Sequence, residues 1–345
     1  MRILVFSERL RPPMDEGFKN TAISLVRALR LEHDVSALTT FGEDIPAEGV
    51  RNVGANKLLL SRPLRQAVES FAPEVLLYIP TASATPAAML RTRVLGRYAP
   101  GASVAMLALQ PRSYDPVTRA AIRLIKPRLM LVQSAAFRRP LSGLGCRVAP
   151  LGSGVDAARF SPVSHEQHLL LRRQLGLPPD AWIVLHAGHI NRNRNVQALS
   201  LVQQAGCQVV LLGSTSTPQD EALAGELQAQ GVIVIRGYVS AIEQYYQAAD
   251  CYVFPVTSDT GAIAVPLSVL EAMACNLPVA AMPYGDLPVL FPATDGLVYV
   301  HSNDALARDV MAMRAGGAVN TRSLVLPHSW QAVARDILTT VVKQT

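Results

Sequence analysis

The sequence predicts an α/β protein of two doubly wound domains, and three observations carry that expectation. The chain has 345 residues, half of them hydrophobic, which is longer than one compact core usually grows. Short apolar runs alternate with helix-period segments nearly from end to end, the rhythm of parallel βαβ units. A loop rich in Gly and Pro, Pro150 to Pro162, interrupts the series near its middle and marks a join.

The first series reads as strand Arg2–Phe6, a helix from about Phe18 to Leu31, and strands Val35–Thr39, Val75–Ile79, Val104–Leu109 and Met130–Val132. The second opens with a polar, His-containing helix after the Gly/Pro loop. It continues with strand Ile183–Ala187, a helix from about Val196, strand Val209–Leu212, a helix through Leu223–Leu227 and strands Val232–Ile235 and Cys251–Phe254. A helix from Pro266 to Ala274 and strand Pro278–Met282 follow. Each series suffices for its own doubly wound sheet. The expected domains are therefore residues 1–160 and 161–327. Residues 328–345 form one amphipathic helix packing back toward the N-terminal domain, with Ser329 as its N-cap and Trp330, Val333, Ile337 and Val341 along one face.

Composition narrows the class. Aromatic residues make up only 6% of the chain, which suits stacked helices and parallel strands better than a sandwich. Every apolar run is broken well before the roughly 18 to 20 residues that span a bilayer. The opening MRILVFSERLRPP has too short an apolar stretch for a signal-peptide core. These features lead to a cytoplasmic expectation, with peripheral contact at the inner membrane face. Cys146, Cys207, Cys251 and Cys275 lie far apart, without zinc or redox spacing, and read as small buried hydrophobes.

The net charge of +6 hides a division. Residues 1–160 hold 22 basic and 12 acidic side chains, whereas residues 161–345 hold 10 and 14. Arg119, Arg123, Lys126, Arg128, Arg138 and Arg139 cluster in two short segments. A basic N-terminal half faces an anionic membrane, a lipid-linked acceptor or an acidic glycan, or else is a solvated face with no partner. Pro116–Pro127 reads as a short helix with Val117, Ala121, Leu124 and Ile125 on one side and cations around the other, the arrangement of an interfacial helix and equally of any surface helix.

Four stretches carry the chemistry: Leu151-Gly-Ser-Gly-Val-Asp-Ala-Ala-Arg-Phe-Ser-Pro162, Ala187-Gly-His-Ile-Asn-Arg-Asn-Arg-Asn-Val196, Tyr245-Tyr-Gln-Ala-Ala-Asp-Cys-Tyr-Val-Phe-Pro255, and Pro266-Leu-Ser-Val-Leu-Glu-Ala-Met-Ala-Cys-Asn-Leu-Pro-Val-Ala280. In this order and spacing they resemble the interdomain signature, the Gly-Arg-Leu-x-x-x-Lys-Asn loop, the tyrosine-helix-Ala-Asp strand and the following helix of the family 4 retaining glycosyltransferases. The resemblance implies the GT-B fold, with two Rossmann-like domains facing across a cleft. It also implies sugar transfer from a nucleotide-sugar donor to an acceptor hydroxyl with retention of configuration, in glycan, glycolipid or polysaccharide synthesis.

The residues support the same chemistry. A nucleotide sugar needs cations and backbone N–H groups for its phosphates and a carboxylate for its ribose. Gly188 permits a tight exit from a buried strand, and the loop then offers His189 and Arg194. The family usually has Arg and Lys at these two positions, so Arg194 keeps the charge while His189 is only partly charged near neutrality. Arg192 reads as an ordinary solvated arginine.

Glu271 is the ribose candidate, one and a half turns into a helix that Pro266 opens as its first residue. The N–H groups of Leu267 and Ser268 there suit a β-phosphate. Loop shape near Gly237-Tyr238-Val239 is expected to read a UDP or GDP base. By resemblance Glu271 is the second Glu of a Glu-x7-Glu motif. The first is replaced by Ile263, which leaves the donor sugar and, to a lesser degree, activity itself open: either Ser258 and Asp259 reach the sugar hydroxyls from a different loop, or the chain belongs to a branch of the family that builds this loop differently.

In the first half, Gly17 stands at the start of the first long helix, where its backbone can approach a diphosphate or acceptor, or merely turn. Gln110, where relatives often carry a His, can hydrogen-bond a sugar hydroxyl but cannot act as a base, and Arg112 can hold an anionic acceptor, or either is ordinary loop decoration. Gln110, Arg194 and Glu271 are the catalytic candidates. No cofactor beyond the donor and no nucleic acid are expected; the resemblance, together with the lack of an Asp-x-Asp motif, implies no metal. A dinucleotide oxidoreductase should show GxGxxG after the first strand, and none is there. The other alternative is a degenerate GT-B protein that binds nucleotide sugar as a sensor or scaffold, favoured by Ile263, His189 and Gln110.

Overall fold

Strands that are apolar on both faces must be covered on both faces, and the chain does this twice. The computed structural model describes residues 1–216, 218–259 and 261–344. It divides into two units: Met1–Ser153 with Ile263–Val265 and Trp330–Thr345, and Gly154–Ala262 with Pro266–Ser329.

The first unit runs β1 (Arg2–Phe6), α1 (Gly17–Arg30), β2 (Asp34–Thr39), β3 (Val50–Asn52), α2 (Arg62–Phe71), β4 (Val75–Tyr78), α3 (Pro86–Tyr98), β5 (Ser103–Ala108), α4 (Pro116–Ile125), β6 (Leu129–Val132), α5 (Ala135–Gly143) and β7 (Val148–Pro150). Its parallel sheet has the order β3-β2-β1-β4-β5-β6-β7. Ile3 pairs with Val35 on one side and Val75 on the other, so the winding reverses between β1 and β4. Helix starts follow local chemistry. Ser61, Thr85, Asp115 and Ser134 each accept an N–H three residues on, and Pro stands in the first turn of α2, α3 and α4.

The second unit runs α6 (His165–Gln174), β8 (Ile183–Gly188), α7 (Leu199–Gln204), β9 (Gln208–Gly213), α8 (Glu221–Ala229), β10 (Ile233–Ile235), α9 (Ile242–Ala248), β11 (Cys251–Phe254), α10 (Leu267–Ala274), β12 (Val279–Ala281), α11 (Leu287–Leu290), β13 (Leu297–Tyr299), α12 (Asn303–Arg314) and α13 (Thr321–Val325). Its sheet repeats the pattern, β10-β9-β8-β11-β12-β13, with the reversal between β8 and β11. The expected helix from Val196 begins as a 3-10 turn and becomes regular only at Leu199.

The last helix, α14 (Trp330–Gln344), belongs to the first unit and packs on α1 with Trp330, Val333, Ile337 and Val341 buried. Thr345 lies outside the described residues. Ile263–Val265 also belong to the first unit. The Ala264 N–H donates to the Leu109 carbonyl at 2.8 Å and the Val265 N–H to Gln133 Oε1 at 3.1 Å. All four cysteines are buried thiols. Among the described residues no helix is long and apolar enough to cross a membrane.

Asp250, within the tyrosine-containing stretch, has a structural task. The buried Arg172 guanidinium donates to the carbonyls of Pro179, Ala181 and Ala248 at 2.8 to 3.0 Å and to Asp250 Oδ2. The same Asp250 oxygen accepts the Ile183 N–H at 2.7 Å, fixing the start of β8. Asp250→Ala leaves a buried cation without its counter-charge and should lower the unfolding free energy by about 3 kcal/mol. Urea unfolding checks this, and a change below about 1 kcal/mol would refute the assignment.

Candidate functional site

In an open parallel sheet, ligands collect beyond the carboxyl ends of the strands at the point where the winding reverses. In the second unit that point lies between β8, ending at Gly188, and β11, ending at Phe254. After Gly188 the chain makes a 3-10 turn over Arg192–Arg194, capped by the Asn191 side chain, which accepts the Arg194 N–H at 3.1 Å. Asn195 follows at φ +56°, and its amide donates to the Pro255 carbonyl at 3.0 Å and to Asn303 Oδ1 at 2.8 Å. The loop after β8 is thereby tied to the end of β11.

This turn folds Arg194 inward. The residue is 7% exposed, and among the described residues its Nε has no hydrogen-bond partner and no carboxylate pairs with it. Burial pulls its pKa downward. Gly188 makes room, since a Cβ there would lie 3.0 Å from Arg194 Nη2 and 3.3 Å from His186 Nε2. His186 is fully buried, its Nδ1–H donating to the Val253 carbonyl at 2.9 Å while Nε2 has no partner among the described residues. Burial, and then the Arg194 charge, push its pKa down to about 3, so it is a neutral imidazole.

Arg192 points elsewhere, paired with Glu226 at 2.7 Å on the surface. His189 is half-buried beside Gly188.

Glu271 stands on α10 and accepts the buried Tyr246 hydroxyl at 2.9 Å. Its other oxygen has no protein partner among the described residues. Burial raises its pKa from 4.5 to about 7, against the opposing Tyr246 hydrogen bond and the Arg159 charge. Tyr252 connects the cation and the carboxylate. Its hydroxyl reaches the Ala187 carbonyl at 3.5 Å and Ser268, its ring stacks on Tyr246 at 5.7 Å, and it feels the charges of both Glu271 and Arg194. Pro266 is the N-cap of α10, with ψ 124°, rather than its first helical residue, a correction that follows from its extended ψ. Leu267, buried, and Ser268, half-buried, therefore supply the first N–H groups of the helix.

The loop between β11 and α10 carries half-buried Ser258 and exposed Asp259. Tyr284 clamps it, its hydroxyl accepting the Ala262 N–H at 2.8 Å and facing the Ala262 carbonyl at 2.7 Å. Tyr238, half-exposed, and Val239 follow the edge strand β10 and are two strands removed from the reversal.

In the first unit, Gly17 is the first residue of α1 after N-cap Glu16. A Cβ at Gly17 would meet the Ile263 side chain at 3.1 to 3.3 Å, so Ile263 fills an apolar contact at the position where the resemblance implied a carboxylate. Gln110 ends the segment after β5. Its N–H donates to Ser83 Oγ at 3.1 Å, and that hydroxyl donates to the Gln110 carbonyl at 2.7 Å. The nearby Arg112 has no partner at Nε among the described residues.

The structure thus brings Gly188, Arg194, Ser268 and Glu271 around Tyr252. Sequence reasoning missed His186, Tyr246, Tyr252 and Tyr284; a histidine inside an otherwise apolar strand was the available signal for the first. Among the described residues no cluster of His, Cys, Asp or Glu is fit to hold a metal.

Comparison with known proteins accords with this geometry. Residues 183–314 match the family model described as "Glycosyl transferases group 1". The chain is 25% identical over 328 residues to a sulfoquinovosyl transferase of Arabidopsis thaliana, covering 84% of this chain and 61% of that protein. It is 30% identical over 219 residues to a D-inositol 3-phosphate glycosyltransferase of Actinosynnema mirum, covering 56% and 51%. The chain thus spans only about half to three fifths of these curated relatives' length. Among solved structures, HepE of Anabaena in complex with UDP superposes with a TM-score of 0.77 at 16% identity, over 99% of this chain and 100% of that one. Sucrose-phosphate synthase of Thermosynechococcus elongatus gives 0.77 at 19%, over 99% and 98%. At such identities the likeness is one of fold, and the fold is GT-B.

If burial sets the Glu271 pKa, the unliganded protein carries a matching penalty. A folded-state pKa above the unfolded value means that the native state holds the proton longer, so stability falls as pH rises from about 4.5 through about 7. Glu271→Gln should match wild type near pH 4.5 and exceed it by about 2 kcal/mol at pH 8, a figure reduced for the carboxylate's partial access to water. Thermal unfolding at the two pH values checks this, and parallel profiles for the two proteins would refute it.

Proposed function

We propose that this chain is a retaining, metal-independent glycosyltransferase that uses a UDP- or GDP-linked sugar. The observation that carries the proposal is the buried Arg194 guanidinium, which has no carboxylate partner at the reversal point of a parallel sheet. A buried, unpaired cation costs several kcal/mol, and an arriving diphosphate offsets that cost through charge-assisted, bidentate hydrogen bonds. The N–H groups that open α10 suit the same anion. Glu271, with one oxygen uncommitted, accepts the ribose hydroxyls. The group 1 glycosyltransferase match covers all of these residues, and HepE, which shares the fold, was solved with UDP.

The chain's own groups then work by position and charge. The acceptor hydroxyl attacks the anomeric carbon on the face from which the nucleotide leaves, and a departing phosphate oxygen takes its proton. Arg194 and the start of α10 stabilise the charge gathering on the leaving diphosphate. His186, neutral and already bonded through Nδ1–H, keeps the cation's surroundings free of a second charge. Retention of Arg194 and Glu271 together favours a working enzyme over a degenerate scaffold. The acceptor is a glycan or a lipid-linked molecule. Contact with an anionic membrane fits α4, where Val117 and Leu124 are 80% and 77% exposed beside exposed Arg119 and Arg123. The buried side of that helix is formed by Ile122 rather than by the Val117–Leu124 row, a division that leaves both apolar residues outward.

Arg194→Met and Glu271→Ala should each weaken UDP or GDP binding by about tenfold to a hundredfold, the worth of a charged hydrogen bond. Without ligand, Arg194→Met should melt no lower than wild type, because the unpaired charge is gone. Unaltered nucleotide affinity in both folded variants would remove the site assignment. Sugar release from the donor should continue in excess EDTA, and a strict requirement for Mg²⁺ or Mn²⁺ would remove the mechanism.

A second consequence concerns the proton on Glu271. Ribose hydroxyls donate to the charged carboxylate and favour it, so nucleotide binding near pH 7 should release a proton. Titration calorimetry in two buffers of different ionisation enthalpy reads this directly. A binding enthalpy independent of the buffer would place the ribose elsewhere.

A further inference from the structure

Six cations of the first unit surround one cavity at the opposite end of its sheet from the reversal-point loops. The cavity, about 500 Å³, lies against the N-terminal ends of β5, β6 and β7 and is lined by Arg93, Arg97, Arg123, Lys126, Arg128 and Arg147. No acidic side chain lines it, and none of the six forms an ion pair among the described residues. Helix C-termini account for Arg97 and Arg123, which sit in the last turns of α3 and α4. Arg128 and Arg147 stand in the loops before β6 and β7 and have no helix end to complement. Lys126 is drawn over the backbone of Gly145, where a Cβ would come within 2.7 Å of its Nζ. Gly145 has φ +78°, a backbone that glycine favours, so the ammonium has a place reserved for it. The floor is apolar, with Ala99, Ala102 and Val104 beneath the charges. Low-dielectric walls under convergent cations focus the field and strengthen anion binding.

We infer that this cavity is a second anion site, which takes a phosphate-bearing ligand of at least two negative charges. Six like charges around one space repel one another, and a multiply charged phosphate relieves that repulsion through the guanidinium fork geometry. The phosphate comes either from a soluble ligand or from a phosphomonoester lipid headgroup, since Leu124 at the rim is exposed. The inference does not rest on the glycosyltransferase reading, because none of its residues belongs to the nucleotide site.

The test uses the full chain carrying Arg194→Met, so that the nucleotide site is weakened as a second phosphate receptor. Inorganic pyrophosphate is titrated calorimetrically at low ionic strength into this protein and into the same protein with Arg97→Ser, Arg128→Ser and Arg147→Ser added. Both are also floated with phosphatidylcholine vesicles, plain and doped with phosphatidic acid. A soluble source predicts pyrophosphate binding that falls on the order of tenfold or more in the triple variant and weakens with salt. A lipid source predicts flotation with phosphatidic acid vesicles alone, lost in the triple variant. Equal binding by both proteins in both arms, or binding in neither arm, overturns the site. UDP and GDP binding by the triple variant with Arg194 intact should equal wild type, so a failed nucleotide site and a failed cavity are read separately.

Discussion

A parallel sheet finishes every strand at the same end, and that constraint governs which loops each unit of this chain can offer a ligand. Because β8 and β11 are neighbours whose crossovers leave in opposite directions, the loops after them diverge and leave the strand ends open between them. Gly188 and Pro255 stand at those ends. The bond from the Asn195 amide to the Pro255 carbonyl then holds the two loops in one arrangement. The left-handed conformation of Asn195 turns the chain from the Arg194 turn into the next helix, and asparagine tolerates that conformation better than most residues.

Within that frame, charge decides which groups matter. Arg192 and Arg194 are two residues apart in sequence and opposite in physical standing. Arg192 meets Glu226 in water, where an exposed pair contributes little, while Arg194 is desolvated and uncompensated. Glu271 is the counterpart on the other side of Tyr252, a carboxylate whose pKa has risen to about 7 because burial outweighs its one hydrogen bond. The two opposite charges are not paired directly with each other, which would have stabilised the resting protein. Under the proposed function, each is completed by a ligand that carries both phosphates and a diol.

Much of this was legible in the sequence, and the failures have physical causes. Long apolar strands and the Gly/Pro loop near residue 150 announce the two sheets. The edge strands β3, β7 and β13 are three residues each and went unread, although the equally short edge strand β10 was read. Gly188, Arg194 and Glu271 were picked out because a glycine and a charge just after a strand, or a carboxylate inside an apolar helix, have few bland explanations. Tyr246 and Tyr252 were not, because a tyrosine in an apolar run reads as core until a partner for its hydroxyl is known. Pro266 at a helix start does not by itself distinguish the N-cap from the first turn, since φ is the same and only ψ decides. On α4, the apolar row Val117, Ala121, Leu124 and Ile125 fitted an interfacial helix and any surface helix alike; the core takes Ile122 and part of Ile125, while Val117 and Leu124 stay exposed. Helical periodicity names a face without saying what covers it.

The chain therefore uses positive charge in two regimes. Arg194 is a buried cation without a carboxylate partner among the described residues, and in the proposed function its attraction for a diphosphate acts through a low dielectric over hydrogen-bond distances, where mobile ions do not enter. The cations around the cavity below β5, β6 and β7 are mostly exposed, and their joint field extends into solvent and is cut off within a Debye length of roughly 8 to 10 Å at physiological salt. A buried charge sets how tightly and in what orientation a ligand is held, whereas an exposed cluster sets how readily an anion or an anionic surface is gathered. The excess of 22 basic over 12 acidic side chains in residues 1–160 belongs to the second regime. It gives no information about the first, because one uncompensated arginine in the acidic half leaves net charge almost unchanged while dominating the local potential.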